Sequence, residues 1–109
     1  MTPIDQDLQG VVLDEALALD LSELARVCGA SDQTLSLLVS EGVLRPEGGR
    51  PQEWRFSGVQ VCRARRALRL QRDLELDLAA TALALDLIEE LEALRQRVRA
   101  LEYQLGRGG

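Results

Sequence analysis

The chain has 109 residues, of which 46% are hydrophobic but only three are aromatic, so its core must consist mainly of leucine, valine and alanine, which favours helices. Eighteen acidic residues against 13 arginines give a net charge of −5, which disfavours general attraction to nucleic acid or to an anionic membrane. Cys28 and Cys62 lie far apart in a chain without histidine, so we expect two small buried thiols, no metal and no cofactor.

The N-terminal segment predicts little regular structure. The first ten residues, MTPIDQDLQG, lack periodicity and predict a flexible leader. Residues 11–19 predict a short edge strand, with a backward extension of the first helix as the alternative. Because the leader is acidic and no apolar run approaches membrane-spanning length, we expect a cytoplasmic protein without a signal peptide.

Two short helices are predicted next. Asp20 and Glu23 have the spacing of a capping box at the start of the first helix, and Gly29 supplies a left-handed stop at its end. Ser31 is expected to cap the second helix, which ends before Gly42. The predicted inward faces contain Leu21, Leu24, Ala25, either Val27 or Cys28, and then Leu35, Leu38 and Val39. Short helices joined by a tight turn are typical of a helix-turn-helix unit.

A β-hairpin wing is predicted after the second helix, with its turn at Gly48 and Gly49 and with Trp54 and Phe56 on the buried face of one strand. Ser57 and Gln60 predict a second capping box that opens a helix over residues 58–72. The expected fold is therefore mainly α, a winged helix-turn-helix domain over residues 11–75.

Residues 76–109 are expected to form a long fourth helix, capped by Asp77 and ending near Leu105, with a mobile glycine-rich tail after it. Its apolar residues alternate spacings of four and three, which predicts a coiled-coil seam. The seam consists of Leu87, Leu91, Leu94, Val98, Leu101 and Leu105. It could pack on the domain's own helices, but self-association as a homodimer is favoured because so short a domain has little surface left to cover the stripe.

The flanking charges leave the orientation of the pairing open. A parallel pair would set Glu90 against Arg95 and Arg97 against Glu102, which are attractive combinations. An antiparallel pair would in some registers place Arg97 opposite its own copy.

The second helix lacks the basic groups with which such helices bind DNA. It contains no lysine or arginine, whereas readers of the major groove present basic or amide side chains to bases and phosphates. Residues 1–62 carry ten acids and four arginines, a net charge of −6, and residues 63–109 carry eight acids and nine arginines, a net charge of +1. The half of the chain that contains the predicted helix-turn-helix is thus the acidic one, which argues against binding in a groove of DNA.

Leu37 is expected to point outward, because it lies about 200° around the helix from Leu35. An outward leucine among polar and acidic groups can anchor a protein interface, although it could also be an ordinary surface leucine or pack under the wing. The candidate partner-binding residues are Asp20, Glu23, Asp32, Gln33, Leu37, Ser40 and Glu41.

The third helix carries the one concentrated basic feature, which could contact nucleic acid, although most runs of this kind are solvated faces. It comprises Arg63, Arg65, Arg66, Arg69 and Arg72. No catalytic constellation is apparent, since histidine is absent and the serines lack a base. A non-enzymatic function is therefore expected.

The order of these elements resembles the CbpM family of chaperone modulators, which share a MerR-like winged-helix scaffold. The resemblance covers about residues 11–105 and is most specific in EGVLRPEG, EWRF, RALRLQRDLELDL and LALDLIEELEALRQR. MerR-type regulators typically carry T-[IL]-R-Y-Y-E-R-x-G-[LV]-L in the second helix. Here Ser36, Leu37, Leu38, Val39 and Ser40 replace the arginine, tyrosine, tyrosine, glutamate and arginine, so the frame remains without its DNA contacts.

The resemblance implies a protein that binds the J-domain of a CbpA-type co-chaperone and inhibits its activity with DnaK. J-domains present a basic helix, which an acidic surface could cover. The alternative is a MerR-like DNA-binding regulator, favoured by the architecture and the arginines of the third helix. A dimeric scaffold whose only role is coiled-coil association is a third interpretation.

Overall fold

The computed structural model describes residues 18–108, with side chains through residue 106. Within this part of the chain there are four α-helices, and the prediction of a mainly α fold is confirmed. They are α1 (Leu21–Cys28), α2 (Asp32–Ser40), α3 (Gly58–Leu74) and α4 (Leu78–Gly108), with a 3-10 helix at Pro51–Glu53. The predicted leader and most of the predicted strand at residues 11–19 lie outside the described residues.

Most of the predicted helix caps are present, because each depends on residues three positions apart. Asp20 Oδ1 accepts from the Glu23 amide at 2.8 Å while Glu23 Oε1 accepts from the Asp20 amide at 2.9 Å, which is a complete capping box. Ser31 caps α2, and Asp77 Oδ1 accepts from the Ala80 amide at 2.8 Å near the start of α4. Gly29 ends α1 in the left-handed conformation, at φ 67°.

The second predicted capping box is only half correct. Ser57 does cap α3, since its hydroxyl accepts from the Gln60 amide at 3.4 Å. The side chain of Gln60 does not return to the cap, however, because its Oε1 accepts from the Arg45 amide at 2.7 Å. The glutamine thus satisfies a donor of the loop after α2 and ties that loop to the beginning of α3.

A single apolar cluster holds the helices together. Fully buried side chains come from every part of the fold: Leu24, Leu35, Leu38, Val43, Phe56, Val61, Ala64, Ala67 and Leu85. Cys28 is the half-buried member of the predicted pair and Val27 is 42% exposed, so the open choice at the end of α1 is resolved in favour of Cys28. On α3 the buried positions are mainly small residues, which allows neighbouring helices to approach closely.

The predicted β-hairpin wing is wrong for the described residues. Residues 43–56 form a loop in which Glu47 and Arg55 make one antiparallel bridge, with N–O distances of 3.0 and 2.9 Å, and Pro51–Glu53 form the 3-10 helix. Pro46 and Pro51 cannot donate to a strand ladder, which explains why the pairing does not continue. The predicted alternation does hold at Trp54 and Phe56, whose rings meet edge to face at 6.2 Å.

Phe56 also pairs with the segment before α1. Its backbone and that of Leu19 exchange hydrogen bonds of 2.8 and 3.0 Å in an antiparallel bridge. This bridge closes the helix-turn-helix against the loop and places the start of α1 near the 3-10 helix.

The helix α4 is attached to the domain only along its first part. Thr81 and Leu85 are fully buried, whereas every residue from Glu90 to Gly106 is exposed. The Thr81 hydroxyl donates to the Asp77 carbonyl at 2.7 Å, so this buried polar group is satisfied. The described chain is correspondingly elongated, with extents of 55 × 32 × 30 Å. Across the described residues, no helix combines the length and apolar character needed to cross a bilayer.

Candidate partner-binding site

The outer face of α2 presents a leucine within a polar surround. Leu37 is 47% exposed, which confirms the predicted outward direction, and Gln33, Ser40 and Glu41 are exposed at positions four before and three and four after it. Residues at these spacings are neighbours on one side of a helix. The Ser40 hydroxyl donates to the Leu37 carbonyl at 2.8 Å, so it is already engaged with the helix backbone. We call these four residues the α2 face.

The three remaining candidates lie around the start of α1. Asp20 and Glu23 are occupied in the capping box described above, and Asp32 Oδ2 accepts from the Ser22 hydroxyl at 3.4 Å. Asp32 is five residues before Leu37, about 140° around the helix from it, and therefore does not belong to the α2 face.

The structure thus separates the seven predicted residues into two surfaces. The second surface borders a shallow depression of about 370 Å³ between α1, α2 and the 3-10 helix, lined by Asp20, Leu21, Ser22, Asp32, Pro51 and Gln52. Its carboxylates stabilise helix N-termini, where a negative charge is favourable, so their first role is structural. The α2 face has no comparable structural task for its exposed leucine.

The arginines of α3 bind groups of the same chain. Arg63, with a side chain only 17% exposed, pairs with Glu89 and Asp86 of α4 and donates from Nε to the buried Val43 carbonyl at 2.8 Å. Arg66 donates to both carboxylate oxygens of Glu92 at 3.1 and 3.2 Å. Two of the five arginines therefore fasten α4 to α3.

Two further arginines of α3 also have intramolecular partners. Arg65 donates to the Val27 carbonyl at 3.1 Å, and thereby contacts the last turn of α1. Arg72 donates to its neighbour Asp73 at 3.4 Å. The solvated-face interpretation of the sequence understated these roles, because it did not include contacts from α3 to α4, α1 and the loop after α2.

A signal for the pairing between α3 and α4 was present in the sequence. Arg63 and Arg66 stand three residues apart, and Asp86, Glu89 and Glu92 repeat at the same spacing, so each set lies on one helix face. Pairing these arginines with these acidic residues requires knowing that the two helix faces pack against each other. The register, 26 residues between partners in both strong pairs, comes from the tertiary structure.

The predicted seam of α4 is exposed along its whole length. The exposed fractions are 56% for Leu87, 46% for Leu91, 52% for Leu94, 52% for Val98, 56% for Leu101 and 75% for Leu105. Leu83, at 61%, lies four residues before Leu87 and extends the apolar row toward the domain. We call Leu83 together with the six seam residues the α4 stripe.

Both cysteines are free, and both are half-buried, whereas the sequence predicted that they are buried. Burial raises the pKa of the Cys28 thiol from 9.0 to about 11, with a smaller opposing effect from the nearby Arg65 guanidinium. Thiolates are the reactive form of cysteine, so this thiol is a poor nucleophile at neutral pH. Within residues 18–108 no group of three or more cysteine and acidic side chains is arranged to hold a metal ion.

Comparison with known proteins supplies the family. Residues 19–103 match the model of the MerR HTH family regulatory proteins. The chaperone modulatory protein CbpM of Coxiella burnetii is 33% identical over 97 residues, covering 89% of this chain and 92% of the relative. The CbpM proteins of Pseudomonas putida and Pseudomonas entomophila are each 35% identical over 89 residues, covering 82% of this chain and 88% of theirs.

The chain belongs to the CbpM family of chaperone modulatory proteins. The names of these CbpM relatives, and that of the MerR model, denote modulators or regulators, and neither denotes an enzyme. The resemblance seen in the sequence is thereby confirmed at the level of the family.

The structure shows which parts of the MerR frame the CbpM-type second helix keeps. Leu35, Val43 and Leu44 are buried in the core, and Gly42 has a φ of 78°, a conformation that L side chains rarely adopt. Of the substituted positions, Leu37 and Ser40 are exposed. Ser36 and Val39 are half-buried, and Leu38 is fully buried in the core. The frame positions therefore serve the packing of the domain, and only the substituted positions Leu37 and Ser40 lie on its exposed surface.

Proposed function

We propose that this chain is a non-enzymatic chaperone modulator that binds the J-domain of a CbpA-type co-chaperone and inhibits its activity with DnaK. The carrying observation is the α2 face, where Leu37 is 47% exposed between Gln33, Ser40 and Glu41. An accessible apolar anchor with a polar and acidic rim suits a protein partner that presents a basic helix. Membership of the CbpM family supports a chaperone-related role.

Inhibition by this route requires only occupancy. A bound chain would cover the basic helix with which a J-domain engages DnaK, so no covalent step is involved. The second surface, at Asp20, Glu23 and Asp32, lies apart from the α2 face, and its negative charge would steer the encounter with a basic partner at longer range. The two free cysteines are consistent with a reducing cytoplasmic location.

The α4 stripe is the proposed means of self-association. Its residues are about half exposed in a single chain. Burying a fully exposed side chain of this size contributes about 1.5–3 kcal/mol, so completing the burial of each half-exposed one contributes roughly half of that. Glu90, Arg95, Arg97 and Glu102 flank the stripe at positions that can form ion pairs between two copies. We therefore propose a homodimer formed through α4.

The DNA-binding alternative was favoured by the architecture and by the arginine cluster of α3, and the second of these supports is weakened. Arg63, Arg65, Arg66 and Arg72 donate to groups of their own chain. Arg63, Arg66 and Arg72 are in ion pairs, so a carboxylate of the same chain already partly balances their charge, which weakens their attraction for a phosphate.

Calorimetric titration of the full chain with the purified J-domain tests the central proposal. We expect binding that weakens as salt is raised, and a fall in J-domain-stimulated DnaK ATPase when the chain is added. Duplex DNA under the same conditions should produce no heat. Absence of J-domain binding at tens of micromolar in low salt, or binding without any effect on the ATPase, would overturn the proposal.

Self-association is tested by sedimentation of the unmodified chain and of Leu94→Glu, which places a charge in the middle of the stripe. The matched control is Gln96→Glu, which adds the same charge at an exposed position outside it. We expect dimers for the unmodified chain and the control, and monomers for Leu94→Glu. A monomeric unmodified chain would remove the proposed dimer.

A further inference from the structure

Two side chains of α3 bind the backbone of the loop that follows α2. Gln60 Oε1 accepts from the Arg45 amide at 2.7 Å, and Arg63 Nε donates to the Val43 carbonyl at 2.8 Å. Gln60 and Arg63 stand three residues apart, so they lie on one side of α3. We call this pair of hydrogen bonds the α3 clamp, because it holds two nearby backbone groups of the same loop.

The α3 clamp lies directly after the C-terminal end of the α2 face. Ser40 is the last residue of α2 and Glu41 is its C-cap, and Gly42 alone separates them from Val43. The Val43 side chain is fully buried, and its amide donates to the Leu38 carbonyl of α2 at 2.9 Å. A shift of the Val43 backbone would therefore move the last turn of α2 with it.

Arg63 extends this connection to α4. Its guanidinium pairs with Glu89 and, at 3.7 Å, with Asp86. Arginine has several donors in fixed directions, so one guanidinium can bind a backbone carbonyl and a carboxylate at the same time. Within residues 18–108, the hydrogen bonds of the Arg66 side chain go to Glu92 and not to the loop after α2. The two ion pairs between α3 and α4 thus differ in what else they hold.

We propose that Glu89 is a positioning residue for the J-domain site: it holds the Arg63 guanidinium against the Val43 carbonyl and so keeps the end of α2 in the orientation that the J-domain binds. This inference rests on the proposed function. Glu89 lies about 200° around α4 from Leu87 of the α4 stripe, so it would act through Arg63 and not through the pairing of two copies. By linkage, a bound J-domain would in turn stabilise the contact between Glu89 and Arg63.

Glu89→Gln tests the proposal, because it removes the charge that holds Arg63 and keeps the size of the side chain. The matched control is Glu92→Gln, the same change at the partner of Arg66. We expect Glu89→Gln to raise the Kd for the J-domain about three- to tenfold, and Glu92→Gln to leave it nearly unchanged. Melting curves check that both variants are folded. An equal effect of the two changes on the Kd would overturn the proposal, as would no effect of either.

Arg63→Lys provides a second test that does not depend on Glu89→Gln alone. Lysine keeps the positive charge, but its single ammonium lacks the fork that reaches both the carbonyl and the carboxylate. Arg63→Lys should weaken J-domain binding to a similar degree, and adding Glu89→Gln to it should cause little further loss, since both residues act through one contact. Fully additive losses would show that Glu89 acts by another route.

Hydrogen exchange measures the link in the opposite direction. Saturation with the J-domain should slow amide exchange around Glu89 in the unmodified chain, and should slow it less in Arg63→Lys. Unchanged exchange around Glu89 in the unmodified, J-domain-bound chain would count against the proposal. Failure of the proposed function gives a different result, since none of these proteins would then bind the J-domain.

Discussion

The Arg66 guanidinium of α3 binds both carboxylate oxygens of Glu92 on α4, at 3.1 and 3.2 Å, one turn away from the pair between Arg63 and Glu89. Two successive arginines on α3 thus hold two successive glutamates on α4. The pairs differ in burial, because the side chain of Arg63 is 17% exposed and that of Arg66 is 37% exposed.

This difference in burial predicts that removing the Arg63 side chain lowers the free energy of unfolding more than removing the Arg66 side chain does. Arg63→Ala leaves the buried Val43 carbonyl without its donor and Glu89 without its partner, so we expect a loss of about 2 kcal/mol in the free energy of unfolding. Arg66→Ala removes a more exposed pair and should cost about 0.5 kcal/mol, and less at high salt. Urea denaturation at two salt concentrations measures both, and equal losses would contradict the assigned difference.

Leu37→Arg should weaken J-domain binding at least about tenfold, because a charge would replace the apolar anchor and repel a basic partner. Its melting temperature should stay nearly unchanged, since the side chain is already 47% exposed. The control is Leu74→Arg, the same change at a 60% exposed position at the end of α3. If Leu37→Arg binds with unaltered affinity, the α2 face is not the interface.

Gly48 and Gly49 offer a matched pair in the loop that replaces the predicted hairpin. Gly48 has a φ of 107°, and a Cβ there would lie 2.4 Å from the Glu53 carbonyl oxygen, whereas a Cβ at Gly49 would meet its nearest atom at 3.9 Å. Gly48→Ala should therefore reduce the free energy of unfolding by more than about 1 kcal/mol, and Gly49→Ala should change it by less than about 0.5 kcal/mol. Thermal or urea unfolding of the two variants distinguishes them, and similar values would argue against the close approach.

Glu75 joins α3 to α4 in a left-handed conformation, with a φ of 53°. Because this conformation is unfavourable for a residue with a Cβ, Glu75→Gly should stabilise the fold by about 1 kcal/mol. Glu75→Ala keeps the Cβ and serves as the control. Should both variants stabilise equally in a melting experiment, the effect would come from the lost carboxylate and not from the backbone.

The Cys28 thiol predicts a loss of stability at high pH. Its pKa is raised from 9.0 to about 11 by burial, so above pH 9 the unfolded chain loses a proton that the folded chain retains. The contribution of this thiol to stability is therefore complete below pH 9 and declines as the pH rises toward 11. Denaturant melts between pH 8 and pH 11 should show a steeper decline for the unmodified chain than for Cys28→Ala, and parallel curves would refute the assigned cause.

The features that could be predicted from the sequence depend on short spacings. The caps at Asp20, Ser31 and Asp77 each use a residue and an amide three positions later, and the outward direction of Leu37 follows from helical geometry. Membership of the family was likewise visible, because the frame of the second helix is a local pattern. These predictions required no knowledge of how the helices meet.

The errors arose where distant residues compete for the same group. Gln60 had the correct spacing for a capping box, but the Arg45 amide, 15 residues earlier, takes its carbonyl oxygen. The hairpin prediction relied on glycines and alternating side chains and gave too little weight to the missing donors of Pro46 and Pro51. At the candidate site, the sequence did not indicate that Asp20, Glu23 and Asp32 lie on a different surface from Leu37, because that separation depends on how the helices are arranged; their part in partner binding stays a prediction.

The apolar row on α4 repeats every seven residues, which is 3.5 residues per turn, whereas a straight α-helix has 3.6 residues per turn. On a solitary chain the row therefore winds backward around the helix by about 20° per heptad. Two chains could keep their rows in register only by curving around one another in a left-handed sense. The free half of α4 would then follow a different path in the pair than in the single molecule, and the angle between the two domains would be set by how many heptads are engaged.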